Sequence, residues 1–154
     1  MTKKLKYAFL SLLMMLMLIP QLAAAADDVA NSLVGVQGYD LVSYHQKGGP
    51  IAGNGNYAAE YDGVTYLFTS KENMQVFEAS PEKYLPAYGG YCAYGAALGK
   101  KFVGDPTVWK LVDGKLYLNL DKKISGLWVQ DIPGYIEKAN MNWEQIKDKP
   151  SSQL

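Results

Sequence analysis

The chain has no arginine, one cysteine and one histidine in 154 residues. Without Arg it lacks the usual bidentate reader of phosphates and base edges. Fifteen Lys balance fifteen Asp+Glu, for a formal charge of zero, so there is no basic footprint for nucleic acid. A single Cys excludes an intramolecular disulfide, a zinc finger and a CxxC redox pair. A single His excludes His-rich metal sites and the HExxH helix. Ser43 and His45 stand too close in sequence for a Ser-His-Asp geometry, and no nucleophile elbow is present. Gly89-Gly90 lacks the Lys-Ser/Thr ending of a phosphate loop. What remains is 49% hydrophobic residues in a length that suits one domain, the composition of a packed globule.

The amino terminus is read separately. Lys3, Lys4 and Lys6 are followed by an apolar run from Ala8 to Ile19 and by the small residues Ala23 to Ala26. Basic, greasy, then small is the layout of a secretory signal peptide. The run is shorter than the ~20 residues of a spanning helix; an uncleaved N-terminal anchor is the alternative. No Cys follows it as a lipid attachment point. Cleavage near Ala26 leaves twelve Lys against fifteen acids, a formal charge of −3. The expected product is periplasmic, mildly acidic, and a poor partner for nucleic acid or anionic membranes. The expected organisation is a signal peptide over 1–26, one α+β domain over 27–148 and a frayed tail over 149–154.

Two hairpin signals organise the mature chain. Tyr57 to Tyr61 and Val64 to Thr69 flank Asp62-Gly63; Thr107 to Val112 and Lys115 to Asn119 flank Asp113-Gly114. Asp-Gly between aromatic and β-branched runs favours a type I′ turn. Each hairpin is followed by a helical stretch. Ser70 caps the first, in which Met74 and Phe77 share a face. Pro81 ends it or starts a short helix with Tyr84 and Leu85. Asp121 caps a stretch carrying Ile124, Leu127 and Trp128. Pro133 opens a last helix with Ile136, Ala139, Trp143 and Ile146 at helical spacing. Beyond this echo no repeat of 20 to 50 residues is visible. The segment Ala87 to Gly99 is too Gly-rich for a continuous helix, yet apolar enough for partial burial. The fold class is α+β: two antiparallel hairpins, joined in one sheet or separate, with helices on one face.

Chemistry has few candidates. Cys92, between Tyr91 and Tyr94 and after Gly89-Gly90, offers a thiolate for a soft metal such as copper, or a small buried apolar side chain. His45, at the end of an expected strand over 38–45, offers an imidazole ligand or an exposed loop residue. Together they make at most half of a four-ligand metal site. Ten of twelve Tyr fall between Tyr39 and Tyr117, suited to core packing or to an aromatic groove for a small ligand. Asp40 beside Tyr39 suits a turn cap or an orienting group.

At these residues the chain resembles YHS-domain proteins. The core of the likeness is Tyr66-Leu67-Phe68-Thr69-Ser70 with Phe77, Pro81 and Tyr84, behind Tyr61-Asp62-Gly63. It is similar above all to an exported single-domain branch. That branch is marked by Gly38-Tyr39-Asp40, Tyr88 to Cys92, Gly104-Asp105-Pro106, Trp109, Asp113 to Asn119, Trp128 and Asp131. The likeness covers roughly Leu33 to Trp143. It implies metal binding, copper and other heavy metals included, through a Cys-Ser-x-x-Cys pattern after the second strand. This chain carries Thr69 and Asn73 at those two places. Metal binding, if kept, then falls to Cys92 with His45.

Three readings follow: a periplasmic accessory protein handling copper or another soft metal; a metal-free module of the envelope for a small ligand or a protein partner; and an enzyme, for which only the lone thiol speaks. The first leads, and catalysis is not expected.

Overall fold

The computed structural model describes residues 34–154, so the signal-peptide expectation lies outside the described residues. The first hairpin pairs β1 (Asn54–Tyr61) with β2 (Val64–Phe68), and the second pairs β3 (Asp105–Val112) with β4 (Lys115–Asn119). Both are antiparallel, and they form separate two-stranded sheets rather than one. The helices are α1 (Lys71–Ala79), α2 (Pro81–Tyr84), α3 (Ala93–Ala97), α4 (Lys122–Trp128) and α5 (Ile132–Ile146). The architecture is α+β. Among the described residues no helix is long and apolar enough to cross a membrane.

The local signals act as physics demands. Asp62 and Asp113 take φ of 50° and 49°, each followed by a Gly that accepts the left-handed turn. Ser70 Oγ accepts from Asn73 N at 3.2 Å, and Asp121 Oδ1 from Ile124 N at 2.8 Å, so each helix has an orphan donor satisfied. Pro133 lies in the first turn of α5, where its missing N–H costs nothing.

The weak echo seen in the sequence proves to be a full internal repeat. Its offset is 51 residues through the hairpins and helices and 52 in the loops before them. The pairing of Asn54 with Phe68 and Ala58 with Leu67 recurs as Asp105 with Asn119 and Trp109 with Leu118, with the same interruption between. Asp40 N donates to Ile51 O at 2.9 Å, and Cys92 N to Phe102 O at 2.8 Å. Gly53 N donates to Gly38 O, and Gly104 N to Gly90 O. A Cβ on Gly104 would meet Leu118 Cβ at 2.6 Å and Gly90 O at 2.7 Å; one on Gly53 would strike the backbone of Leu67. The two glycines are therefore required by the same close approach of chain to strand.

One sequence expectation is corrected. The segment ending at His45 is not a strand: Ser43–His45 is a 3-10 turn, because Asp40 accepts the backbone N–H groups of Val42 and Ser43. Its counterpart in the second half is α3, a single short helix, so the Gly-rich segment is not helical throughout, in keeping with its composition.

Each half has its own core. Leu41, Tyr44, Phe68, Phe77 and Tyr84 pack in the first, joined by Leu116 and Leu118 of β4. Trp128, Tyr117, Ala93, Ala96 and Ala139 pack in the second. Phe77 and Trp128, 51 apart, are the fully buried anchors. Lys101 Nζ donates to the carbonyls of Lys147 and Lys149, just beyond α5.

Candidate functional site

A groove of about 910 Å³ runs between the two halves and takes its lining from both. Its size lies within the range of small-molecule sites. The lining is paired by the repeat: Tyr66 with Tyr117, Val64 with Lys115, Val36 with Tyr88. Tyr91 and Trp143 add further aromatic surface, their ring centroids 6.1 Å apart. Two loops form one wall. Val36-Gln37-Gly38 and Tyr88-Gly89-Gly90 all have positive φ, with Val36 at 49° and Tyr88 at 55°. A β-branched residue in that region is strained, and such strain persists only where the surroundings enforce it. Gln37 Nε2 supplies one restraint by donating to Gly104 O across the halves at 3.2 Å. The aromatic groove was one of two uses foreseen for the tyrosines. The two left-handed loops were invisible, because neither Val36 nor Tyr88 signals such a conformation.

The second feature is a buried carboxylate. Asp40 is fully buried, and five donors converge on it. Oδ1 accepts from Val42 N at 2.9 Å and Ser43 N at 3.3 Å. Oδ2 accepts from Thr69 N at 2.9 Å, Thr69 Oγ1 at 2.7 Å and Asn73 Nδ2 at 2.7 Å. Gln46 Nε2 then donates to Asn73 Oδ1 at 2.9 Å. Thr69 and Asn73 are the places where the resemblance implied metal thiolates. Their side chains instead donate to Asp40, and a hydroxyl and an amide are poor ligands for a soft ion. The donor set does not fit that metal. It fits a metal-free pin that ties the loop after Gly38 to the end of β2 and to α1.

Cys92 occupies the place of Asp40 in the second half and is also sealed, at 1% exposure. Its Sγ accepts from Gly95 N at 3.3 Å and lies 3.6 Å from Asn119 Oδ1, which also accepts from Tyr94 N. The thiol thus caps α3 as Asp40 caps its own turn. Among the described residues Asn119 Nδ2 and Trp128 Nε1 are buried without partners. His45 lies in the first half with its ring edge-on to Tyr84, centroids 5.1 Å apart. Burial, then the charge of Lys83, holds its pKa below the ordinary value, so the ring is neutral at pH 7. The hydrogen bonds and ring contacts of Cys92 and His45 share no residue. Among the described residues no group of three or more His, Cys, Asp or Glu side chains is placed to hold an ion.

With this geometry in hand, the comparison with known families is informative. The family model of the YHS domain matches residues 42–88. The resemblance read from Tyr66 to Tyr84 lies within that match. The match ends at Tyr88, where the second copy of the unit begins. No curated protein and no solved structure matches the chain.

Proposed function

We propose that this chain is an exported, single-domain YHS protein of the periplasm whose working site is the groove between its halves, used to hold a small, largely apolar ligand. One observation carries this reading. The atoms at the places implied for metal thiolates are spent on Asp40, while the groove is concave, aromatic and walled by strained loops. A few polar groups on an apolar lining are what small-molecule sites need for affinity and orientation.

The test is binding of N-phenyl-1-naphthylamine, an uncharged dye that brightens in apolar sites, to the mature protein. Binding at micromolar concentration is expected. It should fall at least tenfold in Val34→Glu/Val103→Glu, two exposed lining residues whose change places charge in the groove without touching the core. Absence of dye binding, or full binding by that variant, would overturn the reading.

Handling of copper or another soft metal is the second reading. The YHS domain is associated with proteins that handle heavy metals, and Cys92 is a free thiol. In this chain the role would run through Cys92, with His45 as the other ligand foreseen. Titration with Cu(I) under anaerobic conditions separates the two readings. Metal uptake that Cys92→Ala abolishes supports metal handling; uptake at background level removes it.

A further inference from the structure

We propose that the groove takes a neutral, planar ring bearing carbonyl oxygens, the chemistry of a quinone, which it grips with one phenol from each half, Tyr66 and Tyr117; this rests on the reading of the groove as the ligand site. The two residues are equivalents, 51 apart, on β2 and β4. Both rings are 8% exposed and both line the groove. Buried tyrosines ordinarily place their hydroxyl on a protein partner. Tyr44 does so on Pro106 O at 2.8 Å and Tyr88 on Asn140 Oδ1 at 2.9 Å. Among the described residues neither Tyr66 nor Tyr117 has such a partner. Nor are their hydroxyls among the sealed orphan atoms, which are His45 Nε2, Asn119 Nδ2 and Trp128 Nε1. The two phenols therefore keep accessible hydroxyls with their donors unspent, on residues that line the groove.

Charge and shape narrow the occupant. The groove has Lys115 against Asp62 and Glu82, so it presents no excess of positive charge to an anion. Among the described residues Lys115 has no carboxylate within 4 Å, and its ammonium lies 3.5 Å from the backbone carbonyl of Glu82. Burial, with Asp62 adding to it for Tyr66 and Asp113 for Tyr117, holds both phenols above their ordinary pKa, so they remain donors at neutral pH. Neutral donors set in an aromatic lining complement oxygen acceptors on a flat, uncharged ring. Two such donors, one from each repeat, suit a ring with two acceptor oxygens.

Equilibrium dialysis with three matched probes tests this: 2,3-dimethyl-1,4-naphthoquinone, 2,3-dimethylnaphthalene and 2-naphthoate. The methyl groups block addition of Cys92 to the quinone. The quinone should bind at least tenfold more tightly than the hydrocarbon of the same outline, and more tightly than the carboxylate. In Tyr66→Phe/Tyr117→Phe the preference for quinone over hydrocarbon should shrink to about threefold or less. The thermal midpoint of that variant should be unchanged, because the lost hydroxyls had no protein partner. Equal binding of quinone and hydrocarbon, a preference that survives the double variant, or tighter binding of the carboxylate would overturn the inference while dye binding leaves the groove itself standing. Failure of both dye and probes would sink the groove reading with it.

Discussion

The two halves share a backbone plan and differ in what they bury at its centre. In the first, Asp40 sits at the turn, Phe68 at the strand end and Phe77 on the helix. In the second the same places hold Cys92, Asn119 and Trp128. The first half centres five donors on one buried carboxylate, and Phe68 packs on Phe77 with centroids 5.1 Å apart. The second buries a thiol on an amide and leaves the Asn119 and Trp128 nitrogens unmet. A helix-capping acceptor is what the plan demands at this turn, and either oxygen or sulfur meets the demand. The difference lies in the cost of removing it.

The sharpest way to break the comparison is Asp40→Ala. It leaves the N–H groups of Val42, Ser43 and Thr69 and the side chains of Thr69 and Asn73 without an acceptor. Urea unfolding should show a loss of about 4 kcal/mol or more, or no folded protein at all. Removing either core anchor comes next. Phe77→Ala and Trp128→Ala should each cost about 3–5 kcal/mol, since both side chains are fully buried. Cys92→Ala removes one weak acceptor and a small volume, and should cost only about 1–2 kcal/mol. If Cys92→Ala proves as damaging as Asp40→Ala, the claim that the two capping sites differ in weight is wrong.

The sealed thiol gives a smaller effect to measure. Ellman's reagent should label native protein over hours and denatured protein within minutes, and gels without reductant should show monomer. The smallest expected effect is in pH. His45 has a folded-state pKa below its unfolded value of about 6.5, so the unfolded chain binds the extra proton first. Its contribution is full above that value and declines as pH falls through it toward the folded value. The urea midpoint should drop slightly from pH 7.5 to 5.5, and His45→Gln should flatten that drop.

Legibility in the sequence followed the range of the interaction. The Asp-Gly turns, the Ser70 and Asp121 caps and the Pro133 helix start are fixed by neighbours a few residues away, and all were readable. Asp40 was readable as a turn cap, but its tie to Thr69 and Asn73 spans 29 and 33 residues. The left-handed path at Val36 and Tyr88 runs against local preference and is enforced from outside. The repeat shows only as a weak echo in the sequence because it keeps what the backbone needs, such as Gly53 and Gly104 or the two turns, while the buried side chains diverged. The groove lies between the two halves that the repeat makes, so its lining comes from residues distant in sequence.

Leu116 and Leu118 complete the core of the first half although they belong to the second hairpin. A chain that folds from its amino terminus can therefore form the first hairpin and its helix early, but must wait for β4 before that hydrophobic centre is closed. Until then an apolar surface is open to chaperones and to other unfinished chains. A fragment cut at Tyr88, where the family match stops, would be held in that unfinished state permanently.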